Sequence, residues 1–208
     1  MKQIFLFLLF IATISSTVSA QSGVIPAQVL KKYTFVTLDD IMVPIPYLEK
    51  IIKPAIVYQD KTTITTTENE KIDVYKTNTG LYIKGKENKI ILLEVYGYSC
   101  PHCKAAIPGY NELKAKYPND VYILTVDVYG LDNASLKQYA QNQGITYDTV
   151  SMDNAGNLVN YFEQFTGWTP PMGVPALLVF SKDGEVIKYY YPQDLPKDDV
   201  DAVIQSLL

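Results

Sequence analysis

Ile90 to Tyr96 is an unbroken apolar run except for Glu94. That is the pattern of a strand buried on both faces beside parallel neighbours, not of an edge strand or an amphipathic helix. A chain with such a strand has to cover both faces of its sheet, so this segment alone points to an α/β layer arrangement. The two cysteines and the single histidine follow at once, as Cys100-Pro101-His102-Cys103. Pro101 to Tyr117 has helical character with Pro108 inside it, and a kink is expected there. The cysteines therefore fall at a strand-to-helix junction.

The pattern continues downstream. Val121 to Val128 is a second buried strand, and Leu136 to Gln143 is a helix capped by Asp132 or Asn133 and stopped by Gly144. Asn133-Ala134-Ser135 is formally a glycosylation sequon, but the cap accounts for it. A strand near Thr146 to Ser151, a helix from about Ala155 to Phe165, a strand Ala176 to Phe180, a turn at Lys182-Asp183-Gly184, a strand Val186 to Tyr191 and a helix from Asp198 complete the order. Upstream, β-branched Thr62 to Thr67, Ile72 to Tyr75 and Leu81 to Lys84, separated by turns at Glu68 to Lys71 and Asn78 to Gly80, predict a small hairpin or meander. From Gln21 to about Asp60 the prolines 26, 44, 46 and 54 leave room only for brief helices or extended pieces. The expected division is a leader at 1–20, an accessory segment at 21–70 and one domain at 71–208.

Lys2, the apolar run Ile4 to Ile14 and the small-residue exit Val18-Ser19-Ala20 form a secretory signal peptide, with cleavage expected after Ala20. The run is short of the ~20 apolar residues that a spanning helix needs. No cysteine follows the cut, which argues against a lipoprotein, and no later segment is apolar for long enough to span a bilayer. The expected location is exported, periplasmic. The net charge of −4 and the absence of arginine remove the forked donors on which phosphate and base-edge recognition relies, so nucleic acid is not an expected partner.

A cysteine at a helix N-terminus meets unsatisfied N–H groups and positive potential that favour thiolate over thiol. Cys100, nearer the helix start, is the expected attacking sulfur; Cys103, one turn in, is the resolving thiol. His102 adds a second, conditional positive charge, and Pro101 starts the helix. Other chemistries fit less well. A zinc site would need further Cys or His ligands, which the chain does not have. Haem attachment would need histidine where Lys104 stands, and a purely structural disulfide closing so short a loop would stabilise little.

These residues resemble the thioredoxin superfamily. Ile91 to Cys100 is similar to the strand that leads into the family's active site, with Glu94 where a buried acid lies beneath the cysteines. Pro108 stands at the family's helix kink, and Gly173-Val174-Pro175-Ala176 resembles its cis-proline loop. The resemblance implies a thioredoxin-like α/β fold, a central mixed sheet flanked by helices, with an N-terminal accessory hairpin or extension. It also implies proton transfer at Cys103 by Glu94; an ion pair with Lys89 or Lys114 is the other account of that acid. Val174 and Pro175 would present backbone to an extended substrate. Trp168, Pro170, Pro171 and Met172 would form an apolar rim, although a lone tryptophan is as often core.

The Pro101-His102 dipeptide and the valine before Pro175 resemble DsbA-like oxidases. The short insertion before Pro175 is more like the TlpA and ResA type of reductase. The expected activity is a thiol:disulfide oxidoreductase, without cofactor, that forms or isomerises disulfides in cysteine-containing exported proteins and is served by a membrane redox partner. A reductase, for instance of apocytochrome haem-attachment sites, is the alternative. A Cu(I)-binding chaperone is a third reading, because soft thiolates suit that ion.

Overall fold

A computed structural model describes residues 56–169, 173–191 and 195–208, together with the backbone of two short strands near the N-terminus. The chain divides into a unit at 1–55 and a unit at 56–208. In the first, β1 (Phe35–Leu38) and β2 (Ile41–Pro44) pair antiparallel. The leader and most of the segment before residue 56 lie outside the described residues.

The second unit begins at Ile56, upstream of the division expected at residue 71, and opens with an antiparallel meander. β3 (Tyr58–Thr65), β4 (Lys71–Thr77) and β5 (Leu81–Ile83) pair in that order. Then come β6 (Ile90–Tyr96), α1 (Pro101–Lys116), β7 (Val121–Asp127), α2 (Asn133–Gln143), β8 (Asp148–Ser151), α3 (Leu158–Thr166), β9 (Ala176–Phe180), β10 (Val186–Tyr190) and α4 (Lys197–Leu207). The main sheet has the order β10-β9-β6-β7-β8. β6 and β7 are parallel, as are β7 and β8, while β9 runs antiparallel to both β6 and β10. This is the mixed sheet of a thioredoxin-like fold.

Every residue of β6, β7 and β9 is buried, as expected when helices or strands cover both faces. The period of two splits β6 between two cores. Ile91, Leu93 and Val95 pack with Leu124, Val126, Phe180, α3 and the apolar side of the meander. Ile90 and Leu92 pack with Tyr110 and Leu113 of α1 and with Val200 and Ile204 of α4. Glu94 shares the parity of Ile90 and Leu92, so it points to the α1 side.

The meander is stitched to the β9–β10 turn at a close approach that permits no side chain. A Cβ at Gly80 would lie 2.0 Å from the Gly184 carbonyl oxygen, and Gly184 has φ +80. Only glycine meets both conditions without strain. The same carbonyl accepts from the Leu81 N–H at 2.9 Å.

Several elements depart from expectation for local reasons. β8 starts at Asp148, because Thr146 turns its N–H and hydroxyl to Asn111 of α1 instead of to a strand. α3 starts at Leu158, since Met152–Asn154 form a 3-10 turn and Gly156 takes φ +52. Pro108 lies inside α1, where the sequence places it.

Candidate active site

The turn after β6 delivers Cys100 as the N-cap of α1, with Pro101 behind it. Proline suits the first helical position, where no N–H is missed. The Cys103 N–H donates to Cys100 Sγ at 3.4 Å, and the Cys100 thiol donates to the Val174 carbonyl oxygen at 3.4 Å. The Val174–Pro175 peptide bond is cis. The structure thus brings Cys100, Cys103, Val174 and Pro175 together, and both cysteines are free thiols.

The two sulfurs are not equivalent. Cys100 is 8% exposed and Cys103 3%. Burial above all, then the Cys100 neighbour, pushes the Cys103 thiol far above its ordinary range, against a hydrogen bond from the Gly97 N–H. A thiol in that state needs a base before it can attack.

Glu94 lies within reach to influence it, since its charge acts on the Cys103 thiol. Its carboxyl is 3% exposed and is pushed up to about 8 by burial, against a hydrogen bond from the Tyr110 hydroxyl. Oε1 is left with no hydrogen-bond partner. The lysines that could have paired with it are engaged elsewhere: Lys89 Nζ donates to the Asn119 carbonyl at 2.8 Å and Lys114 Nζ to that of Thr146.

The other expected site residues fare differently. His102 is exposed on α1 and lines a cavity of about 240 Å³ with Gly109, Glu112, Leu195 and Lys197. Trp168 is not a rim residue but core. It is 1% exposed, its ring meets Phe162 edge-on, and its indole N–H donates to the Gly173 carbonyl at 3.1 Å. It supports the cis-proline loop from beneath. Met172, Pro170 and Pro171 lie outside the described residues. Among the described residues, no group of three His, Cys, Asp or Glu could hold a metal ion.

Two residues were missed in the sequence. Asp127, the last residue of β7, is fully buried and gathers backbone N–H groups from both loops beside the cysteines: Tyr98 at 3.0 Å, Leu131 at 2.9 Å and Tyr129 at 3.4 Å. Tyr129 itself is 53% exposed. An acid ending a buried strand and followed within three residues by glycine was the available signal for the first; nothing in the sequence separated Tyr129 from the other tyrosines.

Residues 67–162 match the thioredoxin family model. Comparison with curated proteins gives no match. Solved structures agree on the thioredoxin-like fold. A thiol:disulfide interchange protein of the thioredoxin family from Chlorobium tepidum superposes with a TM-score of 0.54 at 16% identity, covering 75% of this chain and 99% of its own. A thiol-disulfide oxidoreductase from Bacteroides fragilis gives 0.53 at 15%, with 73% and 99% covered. A secreted disulfide oxidoreductase of Mycobacterium tuberculosis, described as homologous to E. coli DsbE, gives 0.52 at 14%, with 70% and 96% covered. At these identities the likeness is one of fold.

Proposed function

We propose that the protein is an exported thiol:disulfide oxidoreductase whose Cys100–Cys103 couple works in the reductive direction on cysteine-containing proteins. The observation that carries this is the placement of Cys100 Sγ between the Cys103 N–H and the Val174 carbonyl, with Cys103 buried beside it and a buried Glu94 carboxyl whose Oε1 has no hydrogen-bond partner. Export is supported by the Lys2 to Ala20 leader pattern and by the secreted M. tuberculosis neighbour.

The Cys100 thiolate attacks one sulfur of a substrate disulfide, forming a mixed disulfide and releasing the other sulfur as a thiolate that takes a proton. Glu94 in its ionised form removes the proton from Cys103. The Cys103 thiolate then attacks Cys100 Sγ, and the second substrate thiol leaves. Two electrons have passed to the substrate, and the protein holds a Cys100–Cys103 disulfide. A membrane dithiol partner restores the reduced form. Val174, at the cis-proline loop, offers backbone to an extended substrate segment.

The reductive direction is supported by the compact insertion: among the described residues, α2, β8, the 3-10 turn and α3 stand between β7 and Pro175, as in the TlpA and ResA type, and a neighbour is described as homologous to DsbE. The oxidative direction has in its favour His102 between the cysteines and Val174 before the cis proline, the two features that resemble DsbA-like oxidases.

The Cys103→Ala variant tests the reading. It should accumulate mixed disulfides with exported proteins through Cys100, and Cys100→Ala should accumulate none. Equal trapping by both variants would overturn it.

A further inference from the structure

Beside the sulfurs the structure sets an exposed aromatic ring on a fixed backbone. Tyr129 is 53% exposed, in contrast to the tyrosines of the cores. Its hydroxyl is pushed up by burial first and by the charges of Cys100 and Cys103 next. The ring covers Gly97: a Cβ there would come within 2.5 Å of Tyr129 Cδ2. Gly97 is the residue whose carbonyl accepts from the Cys100 N–H and whose N–H donates to Cys103 Sγ. The absence of a side chain at Gly97 therefore lets the ring lie against the backbone that holds the dithiol.

The ring is held as well as exposed. The buried Asp127 carboxylate binds the Tyr129 and Leu131 N–H groups on one loop and that of Tyr98 on the other, and the Tyr98 ring meets Tyr129 edge-on at 6.5 Å. Leu131 and Val174 pack on the Tyr96–Cys100–Cys103 cluster, so the surroundings are apolar. A large ring already fixed in place loses little conformational entropy when a ligand covers it. An exposed aromatic surface next to the reacting atoms gains from covering by another apolar group.

We propose that Tyr129 is a specificity-determining residue, whose ring receives the apolar side chain flanking the reacting cysteine of a polypeptide substrate. This rests on the oxidoreductase reading above and deepens it: the preferred substrates are extended chains with a large apolar residue next to the cysteine.

The test compares two disulfide-linked peptides that differ only in having Leu or Ser beside the reacting cysteine, with hydroxyethyl disulfide as a third substrate. The wild type should prefer the Leu peptide in kcat/KM, mainly through KM, and Tyr129→Phe should keep that preference because the ring remains. Tyr129→Ala should lower the Leu-to-Ser ratio about tenfold, the scale on which an apolar contact discriminates. An unchanged ratio in Tyr129→Ala, whether or not both rates fall, would overturn the proposal. A wild type that turns over the peptides without preference would also overturn it while leaving the oxidoreductase reading intact. A wild type that reduces none of the three disulfides would defeat the oxidoreductase reading itself.

Discussion

The Cys100 thiol donates to the carbonyl oxygen of Val174 at 3.4 Å, a contact that joins residues 74 positions apart. It sets the cysteine at the helix start against the backbone just before the cis Val174–Pro175 bond, so an incoming strand that pairs with this loop meets the sulfur directly. On the proposed reading, binding and chemistry would share one backbone group.

The first prediction concerns the order of the sulfurs. With Cys103 at 3% exposure and its thiol held far above the ordinary range, brief treatment of the reduced protein with iodoacetamide at pH 7 should modify Cys100 alone. Mass spectrometry of the digested protein reads this. Modification of Cys103 in preference to Cys100 would reverse the assignment.

Glu94 gives a pH dependence in two observables. Its folded value of about 8 lies above the unfolded value of 4.5, so between those pH values the folded state holds a proton that the unfolded state has lost. Stability therefore falls as pH rises from 4.5 to 8 and levels off above, by about 5 kcal/mol for a shift of this size. Glu94→Gln should flatten that fall in denaturation curves. In single-turnover experiments the resolution step of the wild type should rise through pH 8 as the carboxylate becomes available. Glu94→Gln should be slower and lose that rise; an unchanged profile would remove Glu94 from proton transfer.

Trp168 is the chain's one tryptophan, so its environment can be measured directly. Fluorescence should be blue-shifted and resist acrylamide, and substrate peptides should leave it unaltered. Trp168→Ala should cost about 3–5 kcal/mol, the usual range for emptying an aromatic site in a core. A red-shifted, readily quenched emission would return Trp168 to the rim.

Gly184 carries a prediction for the fold. A Cβ there would lie 2.1 Å from the Leu81 carbonyl oxygen, at φ +80. Gly184→Ala should lower the thermal midpoint more than Gly144→Ala, because a Cβ at Gly144 meets nothing within 4 Å and faces only the cost of its positive φ. Equal losses would show that the stitch between the meander and the β9–β10 turn is dispensable.

What the sequence disclosed depended on how local the cause was. β6 was legible because both its faces are buried, and the dithiol because its spacing and position speak for themselves. Glu94 was legible as the one acid in an apolar run. Trp168 was left between rim and core, since its burial depends on Phe162 and on a hydrogen bond to Gly173, neither of which a pattern reveals. Thr146 was placed in a strand because its bond to Asn111 spans 35 residues. Asp127 and Tyr129 were missed for a similar reason: their importance comes from lying beside Cys100 after β6 and β7 pair in parallel.

The equilibrium reduction potential of the Cys100–Cys103 couple against glutathione tests the central claim most directly. The account predicts a single two-electron couple, lost in either cysteine variant, with a potential near or below thioredoxin's value of about −270 mV. A potential near the roughly −120 mV of a strong oxidant such as DsbA would contradict the reductive assignment and show that Pro101-His102 outweighs the compact architecture.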